Sequence, residues 1–105
     1  MIIKENIEES IVTLIIDGNI DENSVEKLET RVLDILKKEI KTLVFDLKKV
    51  NYISSTGIRV LIVAYKKALK ENISVEITEM SKKAEEILDT VGVLPLFCKK
   101  QENSL

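Results

Sequence analysis

Leu43-Val44-Phe45-Asp46-Leu47-Lys48-Lys49-Val50-Asn51-Tyr52-Ile53-Ser54-Ser55-Thr56-Gly57-Ile58-Arg59-Val60-Leu61 runs from a short apolar strand, through a polar connection, to three consecutive hydroxyl residues, a glycine and an apolar helix. A strand that feeds a helix in this way is the building unit of an α/β fold, and in open α/β sheets the loops at strand carboxyl ends carry function. Ser and Thr side chains accept hydrogen bonds from the first free N–H groups of a helix, and one cap needs one hydroxyl. Three in a row leave a surplus. Either the run is purely structural capping or, because the helix N-terminus favours negative charge, Ser54, Ser55 and Thr56 mark a site for a phosphate, bound or attached covalently to serine.

Working outward, residues 2–7 and 11–16 are β-favouring segments parted by Glu8-Glu9-Ser10, a hairpin pattern. Ile11-Val12-Thr13-Leu14-Ile15-Ile16 is almost continuously apolar, as expected of a strand inside the sheet and covered on more than one side. Gly18 ends it. Asn23 with Glu26 has the form of a capping box, Asp21 being the alternative cap. The helix that follows, over residues 24–38, carries Val25, Leu28, Val32, Leu33 and Leu36 in one stripe that Ile40 extends.

The second helix is expected over residues 55–71. At 100° per residue Ile58, Leu61, Ile62, Tyr65 and Leu69 face the sheet. Val60 and Val63 then fall on the opposite side, near Arg59, Lys66, Lys67 and Lys70. Such a pair serves either contact with a neighbouring helix or a small apolar, basic-rimmed patch on which a protein partner docks.

Residues 73–78 alternate, with Ile73, Val75 and Ile77 inward. Ser81 caps a third helix whose inner face is Ala84, Ile87, Leu88 and Val91, Gly92 is its C-cap, and Pro95 prevents continuation. Leu94, Leu96 and Phe97 return to the core, and residues 101–105 form a polar tail expected to fray. Residues 1–105 thus read as one α/β domain with a mostly parallel, twisted sheet of four to five strands and helices mainly on one face.

Composition narrows the chemistry. With 45% hydrophobic and 32% charged residues, a chain of 105 residues has enough apolar surface for one core. It contains no histidine and one cysteine, Cys98, so a Ser-His-Asp mechanism and an intrachain disulfide are excluded and no zinc or other metal site is expected. Cys98 reads as apolar filler beside Phe97. The net charge is −2, with Lys and Glu mixed along the chain, which lacks the basic field of a nucleic-acid binder. No apolar run is long enough to span a bilayer and the first residues do not resemble a signal peptide, so a cytoplasmic, non-membrane protein is expected.

The landmarks resemble the STAS-domain family of anti-sigma-factor antagonists. Gly18-Asn19-Ile20-Asp21 is similar to that family's turn before the first helix. Leu43 to Val50 followed by Ser54-Ser55-Thr56-Gly57-Ile58 is similar to its strand and "DSSGl" segment, and Val91-Gly92-Val93-Leu94-Pro95-Leu96-Phe97 to its late "gl...f" segment. The resemblance implies a non-enzymatic switch without a cofactor. The unphosphorylated protein binds an anti-sigma factor that is often itself the serine kinase, phosphorylation of Ser55 breaks that complex, and a serine phosphatase restores it. Thr56 and Ser54 are the alternative acceptors. Asp21, Ser54, Ser55, Thr56, Gly57, Arg59, Val60 and Val63 are the expected partner contacts, and Asp46 orders the loop after its strand. Ser54 stands where the family commonly has aspartate, and Thr56 where it often has serine. The alternative reading is a STAS-like module that binds a nucleotide or lipid at the same helix end.

Overall fold

A computed structural model describes residues 1–97 of the chain; the expectations for Cys98 and residues 101–105 lie outside those residues. Strands β1 (Ile2–Glu8) and β2 (Ile11–Asp17) pair antiparallel, and Glu9 takes up a left-handed conformation, φ 56°, in the tight turn between them. The chain then crosses through α1 (Val25–Leu36) to β3 (Thr42–Lys49), and through α2 (Ser55–Lys70) to β4 (Ser74–Met80). Both β2–β3 and β3–β4 are parallel, and the four strands lie in the order β1-β2-β3-β4. Helix α3 (Lys82–Thr90) and the single turn α4 (Leu94–Phe97) follow.

Spatial order equals sequence order, and this decides the layering. Crossovers between parallel strands are right-handed almost without exception. Two right-handed crossovers that step in the same direction put α1 and α2 on one face of the sheet. Strand β2 records the result: Val12, Leu14 and Ile16 are buried, Thr13 and Ile15 are half-buried, and Ile11 is exposed. Its continuous apolar run therefore lies inside the sheet but is covered by helices on one side only, which corrects the expectation from sequence. Among the described residues the strand order never reverses, so the sheet lacks the crevice at which open α/β sheets hold dinucleotides.

Helix α1 buries Leu28, Val32, Ile35 and Leu36. Ile35 joins the expected stripe, Leu33 is half-buried, and Ile40 lies past the helix end against the edge of the core. Helix α2 departs further from its reading. Its buried line is Gly57, Val60, Leu61, Ala64 and Ala68, while Ile58, Ile62 and Tyr65 are half-buried and Leu69 is 57% exposed. This helix has α1 beside it as well as the sheet beneath. Small residues fill the line of closest approach, and Val60, at 5% exposure, belongs to the core rather than to an outer surface.

Ile73, Val75 and Ile77 are buried on β4, and Ala84 and Leu88 on α3. Val91 is exposed beyond the end of α3, and Leu96 also faces solvent, so neither completes the inner faces expected of them. Pro95 sits in the first turn of α4, where its missing N–H has no partner to lose. Phe97 is fully buried and meets Tyr65 of α2 edge-on, ring centroids 5.9 Å apart at 74°. Burial of a Phe or Leu side chain contributes about 1.5–3 kcal/mol, so this contact ties the last described turn to α2.

Candidate functional site

Two backbone segments meet at the start of α2. Beyond the end of β2, Gly18 N–H donates to Lys49 O at 3.2 Å, Ile20 N–H to Tyr52 O at 2.9 Å, and Ser54 N–H to Ile20 O at 2.8 Å. Ile20 and Ile53 form an isolated parallel bridge, so the ladder between the two strands resumes just where the helix begins. Both isoleucines are buried. A Cβ on Gly57 would stand 2.6 Å from Ile20 Cγ2, 3.0 Å from Ile53 Cγ2 and 3.1 Å from Ile20 O. Gly57 is thus a packing requirement: it lets the helix rest directly on the bridge.

This junction sorts the three hydroxyls into different environments. Ser54, 3% exposed and extended at φ −74°, ψ 169°, accepts the Gly57 N–H at 3.1 Å and is the helix cap. Thr56 Oγ1 donates to Glu22 Oε2 at 3.4 Å, linking α2 to the β2–α1 connection. Ser55 is the first helical residue and is exposed. Among the described residues nothing bonds its hydroxyl. Ser and Asp are equally good caps, so serine at position 54 keeps the cap while omitting a carboxylate next to Ser55.

Asp21 follows Ile20 and closes a local turn. Its Oδ1 accepts the Asn23 N–H at 3.0 Å. Ser24 Oγ accepts the Asp21 N–H at 3.0 Å and donates to Asn19 O at 2.9 Å. Ser24 occupies the cap position of α1 without a side-chain capping bond, and the expected Asn23–Glu26 capping box does not form because Asp21 takes the Asn23 N–H. Asp46 Oδ1 accepts the Lys48 N–H at 3.0 Å, next to the shift in β3–β4 register between Phe45 and Asp46; its bonding is local to the end of the strand.

A shallow groove of about 150 Å³ lies between α1 and α2, lined by Thr56, Arg59, Val60 and Val63 from one helix and Val25 and Glu29 from the other. Thr56, Arg59, Val60 and Val63 are brought together there, but Val60 forms its floor. The half-buried Thr56 and Val63 and the exposed Arg59 offer side chains to a partner. Two neighbours escaped the sequence reading. Tyr52 is 51% exposed on backbone pinned by the bond from Ile20; the inward Ile53 beside it was the available signal. Glu22 reaches Thr56 across 34 positions, and no local pattern could announce that. Among the described residues no cluster of Cys, Asp or Glu is placed to hold a metal ion, and no helix is long and apolar enough to cross a membrane.

The sequence profile of the STAS domain matches residues 3–105. No curated protein matches the sequence. Among solved structures, an anti-sigma factor antagonist from Mycobacterium paratuberculosis superposes with a TM-score of 0.82 at 20% identity, covering 91% of this chain and 81% of that one. The unphosphorylated anti-sigma factor antagonist SpoIIAA superposes at 0.80 with 11% identity, covering 97% and 92%. SpoIIAA of Bacillus in its phosphorylated form superposes at 0.73 with 11% identity, covering 97% and 96%. A sulfate transporter family protein from Wolinella succinogenes superposes at 0.76 with 17% identity, covering 90% and 77%. At these identities the likeness is one of fold.

Proposed function

Because the chain belongs to the STAS domain family, we propose that it acts as an anti-sigma-factor antagonist, a non-enzymatic cytoplasmic switch that binds an anti-sigma serine kinase and is released when that kinase phosphorylates Ser55. The observation that carries this reading is the state of the Ser55 hydroxyl. Ser54 is consumed by the cap and Thr56 by Glu22, whereas Ser55 is exposed at the first position of a 16-residue helix. A phosphate there adds about −1.5 to −2 charges at an end that favours them. SpoIIAA superposes on this chain in both its unphosphorylated and phosphorylated forms, which supports a switch that leaves the fold in place.

The effect is then exerted at the interface. Like-charge repulsion and the cost of desolvating a phosphate against the partner need supply only about 3 kcal/mol to weaken binding about 100-fold. Glu22 and Glu29 lie on the α1 side of the site, so the added charge arrives where carboxylates already stand. A serine phosphatase reverses it. Size favours docking over capture of a nucleotide or lipid: the groove of about 150 Å³ beside Ser55 is below the roughly 300–1,000 Å³ of small-molecule pockets.

Mass spectrometry after incubation with ATP and a candidate anti-sigma kinase tests the reading, with Ser55→Ala alongside. One phosphate on Ser55, absent from the variant, is expected, as is an affinity for the kinase reduced about 100-fold by Ser55→Asp. A phosphate on Ser54 or Thr56 instead, or none from kinases active on other substrates, overturns it. Stabilisation by a nucleotide or lipid with no partner present favours the ligand-binding module.

A further inference from the structure

Lysines and glutamates are mixed along the sequence, but the fold gathers lysines at the end of the domain away from Ser55. Two adjoining depressions of about 590 and 360 Å³ share Leu36, Lys37 and Glu71 and run between the ends of α1 and α2 and the starts of β3 and β4. Five lysines line them: Lys37, Lys38, Lys41, Lys67 and Lys70, against Glu39 and Glu71. The groove is therefore positive on a chain whose net charge is −2. Among the described residues only Lys37 of the five is paired with a carboxylate, Asp34, at 4.0 Å and in an exposed position. Lysines in a last helical turn offset the helix dipole, which accounts for Lys67 and Lys70. Lys38 and Lys41 lie beyond the end of α1.

The floor is apolar. Leu36 and Ile73 are buried, and Leu33 and Ile40 are half-buried beside them. A strip of aliphatic side chains under lysine ammonium groups is complementary to an acidic polypeptide segment carrying aliphatic residues. It suits nucleic acid poorly, because among the described residues neither depression contains an aromatic side chain for base stacking or an arginine for bidentate phosphate contact.

We propose that this groove is a second docking surface, which takes an acidic protein segment with aliphatic anchors. Ser55 and Lys70 are the two ends of α2, about 22 Å apart at 1.5 Å per residue. A segment held in the groove does not touch the phosphorylation site. The domain can therefore hold one partner through either state of Ser55 while the other contact is made and broken.

The test uses the full chain and a fluorescein-labelled peptide, Glu-Asp-Leu-Glu-Glu-Ile-Asp-Glu, followed by anisotropy. Saturable binding that weakens as salt is raised, falls at least tenfold in Lys41→Glu/Lys70→Glu, and is unchanged in Lys82→Glu/Lys83→Glu and in Ser55→Asp, supports the groove. Equal loss in both lysine pairs, no binding, or tighter binding of a single-stranded oligonucleotide overturns it. Amide shift mapping on the unmutated protein gives an answer independent of variant folding. Perturbations confined to residues 36–41 and 67–73 support the site, and perturbations elsewhere overturn it. Loss of peptide binding on Ser55→Asp would merge the two surfaces and also overturn the proposal, whereas failure of Ser55 phosphorylation leaves it standing.

Discussion

Helices α2 and α3 begin with the same device and present different things to solvent. Ser54 and Ser81 are both extended, with ψ of 169° and 160°, and each accepts the N–H three residues on, from Gly57 and Ala84. After its cap α3 continues with Lys82-Lys83, whereas α2 continues with Ser55-Thr56. A serine cap is thus complete without any following hydroxyl. Ser55 and Thr56 are additions to a structural motif that works without them, and that difference separates the capping role from the proposed switching role within one run of residues.

The comparison can be broken most sharply at the third position after each cap. Gly57→Ala makes α2 match α3 there, but it pushes a methyl group against Ile20 and Ile53. Over-packing at backbone that cannot retreat costs about 3 kcal/mol; a lowered urea midpoint with unchanged slope is the expected result. A Gly57→Ala protein as stable as the parent would remove the argument that the Ile20–Ile53 bridge positions the helix start.

Removing the caps comes next. Ser81→Ala loses the Ala84 bond and also the bond that the Ser81 hydroxyl donates to Val50 O, about 2 kcal/mol together. Ser54→Ala loses its cap alone, about 1 kcal/mol. Thermal unfolding ranks the two, and the reverse order would mean that the Ser54 cap holds the junction more firmly than its single bond accounts for. The smallest effect belongs to Ser55→Ala, a change within about 0.5 kcal/mol, because nothing among the described residues is bonded to that hydroxyl. A larger loss in denaturant melts would make Ser55 part of the scaffold.

Period and punctuation carried most of the architecture. The β1–β2 hairpin, the alternation of β4 and the Ser81 cap follow from local pattern. The sheet-facing side of α2 was misread because Gly57, Ala64 and Ala68 have little hydrophobic weight, although small residues are what allow a helix to lie close to a sheet. Val60 fills the neighbouring-helix contact, one of the two readings open to it: with α1 beside it, α2 buries a wider arc than one interface requires. The continuous apolar run of β2 suggested cover on both sides, but which faces are covered follows from strand order, which is non-local.

At the site, the hydroxyl run was visible as a unit, and its division of labour was not. That division depends on Ile20 and Glu22, which reach the helix start from the far side of α1. The grouping of lysines was hidden in the same way. Lys37, Lys38 and Lys41 come from the end of one crossover and Lys67 and Lys70 from the end of the next, so a charge profile along the chain shows mixing where the surface shows a groove.

The Ile20–Ile53 bridge also bears on timing. It joins segments on either side of helix α1 and strand β3, and contacts of long sequence separation carry a loop-closure cost that local hairpins and helical turns avoid. The finished surroundings of Ser55 exist only after α1 and β3 have docked. Until then the Ile20–Ile53 bridge that positions the serine is absent, so an enzyme that reads the junction rather than the linear sequence would act only on molecules that have completed the fold.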